Sequence, residues 1–150
     1  MKTKFVVFIL SITFFGGCEN NSRVDCSTVL CAQQVLSIEL LDTEGVNLIA
    51  NETYSLENIK VFKDSIQVSQ LGNTMNDAIL IAVFGEEGNN TYDIFLDASE
   101  TDILELELSK NNPGSECCSP LFTIEKATYN GADLEIIREP SDIEKIIVIK

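Results

Sequence analysis

The chain has 150 residues, with 24 acidic and 10 basic side chains and a formal net charge of −14 at pH 7. This excess of negative charge repels nucleic acids, so the sequence predicts no nucleic-acid partner. The chain also lacks histidine, which excludes the Ser-His and Cys-His nucleophile pairs of hydrolases and most mononuclear zinc and iron sites.

Residues 1–17 have the pattern of a signal peptide. Two lysines stand among the first four residues, a mostly apolar run follows over residues 5–15, and two glycines precede Cys18. This run is shorter than the roughly 20 apolar residues that cross a bilayer. The sequence FGGC at residues 15–18 resembles the lipobox of bacterial lipoprotein precursors, although Phe15 replaces the usual leucine. The resemblance implies that Cys18 carries a thioether-linked diacylglycerol, with acyl chains such as palmitate, and becomes the N-terminus.

The pattern divides the chain into a lipoprotein signal peptide over 1–17, a lipidated Cys18 with a polar tether over 18–34, and one β domain over 35–150. All acidic residues lie after the cleavage site, so the loss of the two N-terminal lysines would change the net charge to −16. The alternative interpretation is an ordinary secretory signal in which Cys18 has no special role.

Four further cysteines, Cys26, Cys31, Cys117 and Cys118, remain in the mature chain. An even number of cysteines in an exported chain predicts disulfides, here two. A bridge between the neighbours Cys117 and Cys118 would be a strained ring, so we expect each of them to pair with one of Cys26 and Cys31. Which pairs with which stays open. A zinc site is disfavoured because the spacing is wrong and no histidine is present.

Alternating apolar and polar residues, bounded by turn residues, predict eight or nine β-strands and therefore an all-β fold, a single antiparallel β-sandwich. The segment 46–50 is expected to form a further strand after a turn at 42–45. The main candidate strands cover residues 35–41, 59–62, 66–70, 78–84, 91–98, 102–109, 121–129, 134–139 and 145–150.

Four parts of the chain carry more specific expectations. Residues 78–84 are apolar on both faces, which is typical of a central strand, and the loop 85–90 is predicted to form a hairpin into 91–98. In 102–109, leucines alternate with glutamates, so the leucines should point inward. Asn130-Gly131 predicts a type I′ hairpin turn.

The order of LSIELLDTEGVNLI, TYSLENIKVF, a late Cys-Cys loop and IEKATYNGADL resembles that of small Bacteroidota lipoproteins that carry an immunoglobulin-like β-sandwich and no assigned activity. This resemblance implies an immunoglobulin-like fold and an envelope location, and it implies no catalytic residue. Proteins of this kind can be O-glycosylated at Asp-Ser/Thr followed by a small or aliphatic residue. Asp64-Ser65-Ile66 fits, which makes Ser65 a candidate; an unmodified surface turn is the alternative.

Calcium is the one metal that the loops could hold, since it prefers six to eight oxygen ligands. The candidate ligands are Glu86, Glu87, Asp93, Asp97 and Asp102, but they do not match the EF-hand pattern, and solvated hairpin loops are the alternative interpretation. Among the aromatic residues, most are expected in the core. Phe95 is the exception, because alternation places it on the opposite face from Tyr92, Ile94 and Leu96.

These observations predict a membrane-anchored lipoprotein of the bacterial cell envelope that acts as a non-catalytic interaction or accessory module, without a cofactor, for an envelope protein or glycan. A calcium- or glycan-binding module is the alternative, and a small hydrolase has little support. Only one acidic residue, Glu19, follows Cys18 directly, which differs from the lysine-and-acid cluster typical of surface export. We therefore predict the outer membrane, facing the periplasm.

Overall fold

The computed structural model describes residues 25–68, 77–97, 99–112, 114–138 and 143–150. They form a 3₁₀ turn over Cys26–Thr28 and ten β-strands. In chain order the strands are β1 (Val35–Leu41), β2 (Lys60–Lys63), β3 (Ile66–Val68), β4 (Ile79–Ala82), β5 (Gly88–Phe95), β6 (Thr101–Asn112), β7 (Leu121–Tyr129), β8 (Ala132–Leu134), β9 (Ile136–Arg138) and β10 (Glu144–Ile149). The prediction of an all-β fold is confirmed.

The strands form two sheets. One has four strands in the order β4-β1-β10-β9, and the other has six in the order β3-β2-β5-β6-β7-β8. Strands β5 to β8 follow one another as an antiparallel meander. The buried side chains of both sheets belong to one hydrophobic cluster, so each sheet covers the apolar face of the other.

The core follows directly from strand alternation. Leu36, Ile38 and Leu40 of β1 are fully buried, as are Leu104 and Leu106 of β6. Burial of each such side chain contributes about 1.5–3 kcal/mol. The glutamates between the β6 leucines are exposed, which confirms the predicted inward and outward faces of this strand.

One strand pair departs from the predicted antiparallel arrangement. Strand β1 pairs in parallel with β10 over six residues, from Leu36 opposite Glu144 to Leu41 opposite Ile149. The prediction of a purely antiparallel fold was therefore wrong at this pair. Alternation could not reveal it, because parallel and antiparallel strands bury the same set of alternate side chains.

The segment 78–84 was predicted to be a central strand, and this was wrong. Within the described part of the chain, β4 is the first strand of its sheet and pairs with β1 alone. Its inward residues Ile79 and Ile81 are fully buried, while Leu80 and Ala82 are only partly covered. An apolar outer face can therefore occur at a sheet edge as well as in the middle.

The loop 85–90 does not form the predicted hairpin, because β4 and β5 belong to different sheets. The side chain of the buried Asn90 stabilises this loop, which crosses from the four-stranded to the six-stranded sheet. Its side-chain oxygen accepts a hydrogen bond from the Glu86 N–H at 3.2 Å, and its amide donates to the carbonyls of Glu86 at 2.7 Å and Gly88 at 3.0 Å. A Cβ at Gly85 would lie 2.0 Å from the Asn90 side-chain oxygen, so only glycine fits there.

The predicted strand at 46–50 is also absent. Asn47 forms one isolated bridge with Leu41, and its side-chain oxygen then accepts hydrogen bonds from the N–H groups of Ile49 at 2.8 Å and Ala50 at 2.9 Å. This local bonding turns the backbone away from the sheet. Leu48 and Ile49 are nevertheless buried, since the turn packs them against the core.

The hairpin turn between β7 and β8 is confirmed. Asn130 and Gly131 have φ angles of 49° and 81°, both in the left-handed region that a type I′ turn requires. Strand β7 also has the bounds predicted for it, residues 121–129.

Candidate functional site

The two disulfides join the beginning of the described chain to a late loop. Cys26 is bonded to Cys117, with their Cα atoms 5.3 Å apart, and Cys31 is bonded to Cys118, with Cα atoms 5.4 Å apart. This confirms that each of the neighbouring cysteines reaches back to one of the early pair. The structure decides the pairing that the sequence left open.

Gln34 connects both sheets at this end of the domain. Its backbone carbonyl accepts a hydrogen bond from the Val83 N–H, just after β4, at 2.9 Å. Its side-chain oxygen accepts one from the Phe122 N–H of β7, also at 2.9 Å. The segment from Cys26 to Gln34 is thus fixed by both covalent and hydrogen bonds. We call this region, with its two disulfides and Gln34, the disulfide end.

A polar network lies at the opposite end of strand β6. The Lys150 ammonium donates to the carboxylates of Glu100 and Asp102, with 2.6 Å to the Asp102 oxygen. Tyr129 donates to the same Asp102 oxygen at 2.8 Å, and Asn130 donates to the other at 2.6 Å. The Asp102 side chain is only 6% exposed. We call these residues, together with Tyr54, the polar end.

Tyr54 completes the polar end. Its hydroxyl donates to the second Glu100 oxygen at 3.1 Å, and the Lys150 ammonium lies 5.6 Å from its ring centre. Because Lys150 follows β10 and Asp102 begins the inward series of β6, the network ties the four-stranded sheet to the six-stranded sheet. Sequence patterns did not indicate it, since the contacting residues are up to 96 positions apart in the chain.

The network lowers the pKa of Asp102. The pKa values of Tyr54, Tyr129 and Lys150 are raised. Burial alone would raise the pKa of Asp102, but hydrogen bonds from Lys150, Asn130 and Tyr129 outweigh it and lower that pKa. Burial, with the hydrogen bond to Asp102, raises the pKa of Tyr129. Burial also raises the pKa of Tyr54. Burial by itself would lower the pKa of Lys150, yet its bonds to the two carboxylates raise it. A charged Lys150 beside charged Asp102 is therefore the stable state.

The candidate calcium ligands do not converge. Glu86 and Glu87 lie in the crossing between the sheets, Asp93 lies on the outer face of β5, and Asp102 bonds Lys150. Asp97 accepts hydrogen bonds from the Ser99 N–H and hydroxyl, which lower its pKa. Among the described residues, no three acidic or cysteine side chains are grouped to hold a metal.

The other predicted modification sites differ in what the structure describes. Ser65 is exposed in the turn between β2 and β3, where Asp64 and Ser65 both have positive φ angles, 51° and 65°. Its O-glycosylation stays a prediction. Cys18 and the signal peptide lie outside the described residues. No helix among those residues is long and apolar enough to cross a membrane.

Five of the seven aromatic residues after Cys18 pack in or against the core, as predicted for most of them. These are Tyr54, Phe84, Tyr92, Phe122 and Tyr129. The Tyr92 hydroxyl donates to the Phe84 carbonyl at 2.8 Å, and burial raises the pKa of Tyr92 to about 12.

The remaining two aromatic residues lie together on the outer face of the six-stranded sheet. Phe62 of β2 and Phe95 of β5 are half-buried, and their rings meet edge to face with centres 5.5 Å apart. Phe95 therefore lies on the face that alternation predicted. Phe62 was expected in the core, and that expectation was wrong. The alternation of β2 could have revealed it, because Phe62 stands between the inward Val61 and Lys63.

Asp93 and Ile103 complete this surface. Phe62 is directly opposite Asp93 across the β2–β5 pair, and Asp93 is directly opposite Ile103 across the β5–β6 pair. Ile103 is 45% exposed. Three apolar side chains thus surround one carboxylate, because Phe95 lies two residues along the strand from Asp93. We call these four residues the outer-face cup; it is the best candidate for a functional surface.

Comparison with known proteins identifies no relative: no protein-family model, no curated protein and no solved structure matches this chain.

Proposed function

We propose that this chain is a lipoprotein of the bacterial cell envelope, anchored through Cys18, whose β domain is a non-catalytic interaction module. The observation that carries the proposal is the outer-face cup, where Phe62, Phe95 and Ile103 leave apolar surface uncovered on a sheet face that is otherwise polar. Exposed aromatic and aliphatic groups with a polar rim are typical of protein-binding surfaces.

The disulfides support export. Such bonds form and persist in oxidising compartments and are rare in the bacterial cytoplasm, and this domain contains two of them. They agree with the signal peptide inferred for residues 1–17 and with a location on the periplasmic side of the outer membrane.

The geometry of β6 supports presentation of the cup away from the anchor. The strand has 12 residues, and the 11 steps between its first and last residue span roughly 36 Å at about 3.3 Å each. The disulfide end, which receives the proposed tether, lies beyond its last residue, while Phe95 pairs with Thr101 at its first. A domain tethered at one end would thus hold the cup about one strand length from the anchor.

For the architecture we propose an immunoglobulin-like β-sandwich. Two sheets that share one hydrophobic cluster support it, and domains of this architecture differ in their exact strand connections. A glycan is the second candidate ligand, since the Phe62–Phe95 pair offers aromatic surface beside the polar side chains of Gln67 and Thr101.

Two experiments test the proposed function. In cells, Cys18→Ser is expected to move the protein from the membrane fraction to the soluble fraction, while the control Asn20→Ser leaves it membrane-bound. Retention of Cys18→Ser in the membrane would contradict lipid anchoring.

The second experiment is site-specific photo-crosslinking in cells. A photoreactive residue at Ile103 in the cup is expected to capture a partner, whereas the same residue at Thr128, on the same sheet face but outside the cup, captures little. Equal or absent crosslinking at the two positions would reject the interaction function.

A further inference from the structure

The outer-face cup combines a charge with apolar neighbours on the same sheet face. Asp93 lies between Phe62 and Ile103 in one row across the sheet. Side chains directly opposite each other in such a row have Cβ atoms about 4.5–5.5 Å apart. Phe95 stands on the same face one row away, opposite Lys60 on one side and Thr101 on the other. The carboxylate is exposed, so a ligand can reach it.

The Asp93 carboxylate makes no direct ion pair within the described part of the chain, and the nearest cation on this face, Lys60, stands diagonally from it, opposite Phe95. No ion pair or hydrogen bond of Asp93 occurs among those residues, in contrast to Asp133 on the same face, which pairs with Lys126 at 2.7 Å. Glu105, one row away, accepts a hydrogen bond from the uncharged Thr128. The whole chain carries a net charge of −14, so the surrounding field also favours a cationic ligand.

We propose that the cup binds an arginine side chain presented by a basic polypeptide segment of a partner; this inference rests on the proposed interaction function. A guanidinium group can stack on a phenylalanine ring while its N–H groups bond a carboxylate, and its aliphatic stem can cover apolar surface. The cup supplies all three complements: the rings of Phe62 and Phe95, the carboxylate of Asp93 and the side chain of Ile103.

Other occupants fit the same surface less well. A second copy of this chain would bring a large negative charge against the cup, which opposes association. A purely apolar partner would cover the Asp93 carboxylate without compensating it, and burial of an unpaired charge is strongly unfavourable. A basic polypeptide satisfies both the charge and the apolar surface.

Peptide titration of the full-length chain in neutral detergent micelles tests the proposal. The probe is the peptide acetyl-Gly-Leu-Arg-Leu-Gly-amide, and its control replaces arginine with citrulline, which has a similar shape but no charge. Binding is followed by amide chemical shifts around Asp93. We expect at least a tenfold weaker affinity for the citrulline peptide, because hydrogen bonds between charged groups contribute more than neutral ones.

Matched variants localise the binding. Asp93→Asn is expected to weaken binding of the arginine peptide at least tenfold, whereas Asp133→Asn, which removes the same charge from the same face outside the cup, changes it less than twofold. Phe95→Ala should also weaken binding about tenfold. Ile103→Thr, which keeps a β-branched residue in the strand, provides a second test should Phe95→Ala lower stability. Melting curves of each variant report whether it is folded.

Several results would overturn the inference. These are equal binding of the two peptides, no effect of Asp93→Asn, dimerisation through the cup in sedimentation experiments, or displacement of the peptide by a glycan. Crosslinking from Ile103 in cells separates the two proposals. A cup-specific crosslink without arginine selectivity keeps the interaction function and rejects the arginine ligand. Arginine selectivity without a crosslink shows that the cup can bind a guanidinium group, but it rejects the interaction function in cells and with it a partner that presents the arginine.

Discussion

The two ends of the domain perform the same structural task with different chemistry. At the disulfide end, Cys26 and Cys31, which precede β1, are joined covalently to the loop that precedes β7. At the polar end, Lys150, which follows β10, is joined to Asp102 of β6 by charge and hydrogen bonds. Each end connects the four-stranded sheet to the six-stranded sheet.

The difference predicts distinct responses to conditions. A disulfide acts mainly by restricting the unfolded chain, and the bridged cysteines have no proton to gain or lose. The polar network stabilises the folded state only while its carboxylates are charged and its tyrosines are neutral. The disulfide end should therefore respond to reductant and the polar end to pH. Five predictions test this contrast.

Loss of both disulfides has the largest expected effect. The bridged cysteines are separated by 91 and 87 residues, and one such closure contributes on the order of 4 kcal/mol. With one bridge formed, the other closes only a short loop and adds about 2 kcal/mol. Removal of one pair, Cys26→Ser with Cys117→Ser, should therefore lower the free energy of unfolding by about 2 kcal/mol, and removal of both pairs by about 6 kcal/mol.

Urea denaturation of the oxidised variants measures this difference. Variants lacking only Cys31 and Cys118 serve as the matched comparison. If the two single-bridge losses add up to the loss on removing both, the bridges act independently and the shared-loop explanation is wrong.

Lys150→Met is expected to have the next largest effect. It leaves the carboxylates of Asp102 and Glu100 close together without their cation, and loss of one partner from a mostly buried pair costs about 3 kcal/mol. The control is Lys126→Met, whose partner is Asp133. Both side chains of that pair are more than half exposed, so its loss should destabilise the fold far less than the loss of Lys150. Similar losses in thermal or urea unfolding would contradict the importance of the polar end.

One glycine near each end provides a smaller test. Gly114 and Gly131 have φ angles of +78° and +81°, so alanine at either costs about 1 kcal/mol of backbone strain. A Cβ at Gly114 would lie 2.6 Å from the Cys118 carbonyl oxygen, whereas nothing lies within 4 Å at Gly131. Gly114→Ala should therefore lower the melting temperature more than Gly131→Ala. Equal effects would show that the disulfide loop relaxes to make room.

The pH dependence is the most gradual effect. Because the pKa of Asp102 is lowered in the folded state, its contribution is present above its ordinary value near 3.8 and is lost as the pH falls through the folded value. Asp102→Asn should therefore lose less stability than the wild type on acidification below about pH 4. Parallel curves for the two proteins would exclude Asp102 from the acid response.

At alkaline pH the tyrosines make the folding stability depend on pH, and here stability falls as the pH rises. The pKa values of all three tyrosines are raised, that of Tyr92 to about 12. Their contribution is present below the ordinary tyrosine value near 10 and is lost as the pH rises through the folded values. Ultraviolet absorbance at 295 nm should thus show little ionisation at pH 10, followed by a rise that coincides with unfolding. Early ionisation of any tyrosine would contradict its burial.

Local patterns predicted the strands well where one face is buried. The alternation in β6, the bounds of β7 and the Asn130-Gly131 turn needed no long-range information, because side-chain period and backbone φ preferences are local properties. The same local reading failed at 46–50 and 85–90. There, the side chains of Asn47 and Asn90 bond nearby backbone groups and redirect the chain.

The candidate surface was only partly predictable. Alternation within β5 placed Phe95 on the outer face, but the cup also needs Phe62 and Ile103 from two other strands. Their proximity to Asp93 depends on strand order and register, which a single sequence does not specify.

The sequence by itself determined the composition, the charge, the alternation of the strands and the even set of cysteines after Cys18, because each of these is written in neighbouring residues or in a count. The tertiary structure alone decided the parallel pairing of β1 with β10, the pairing of the disulfides, the polar end and the outer-face cup. All four join residues distant in the chain, and which distant residues meet is set by how the two sheets bury a common core.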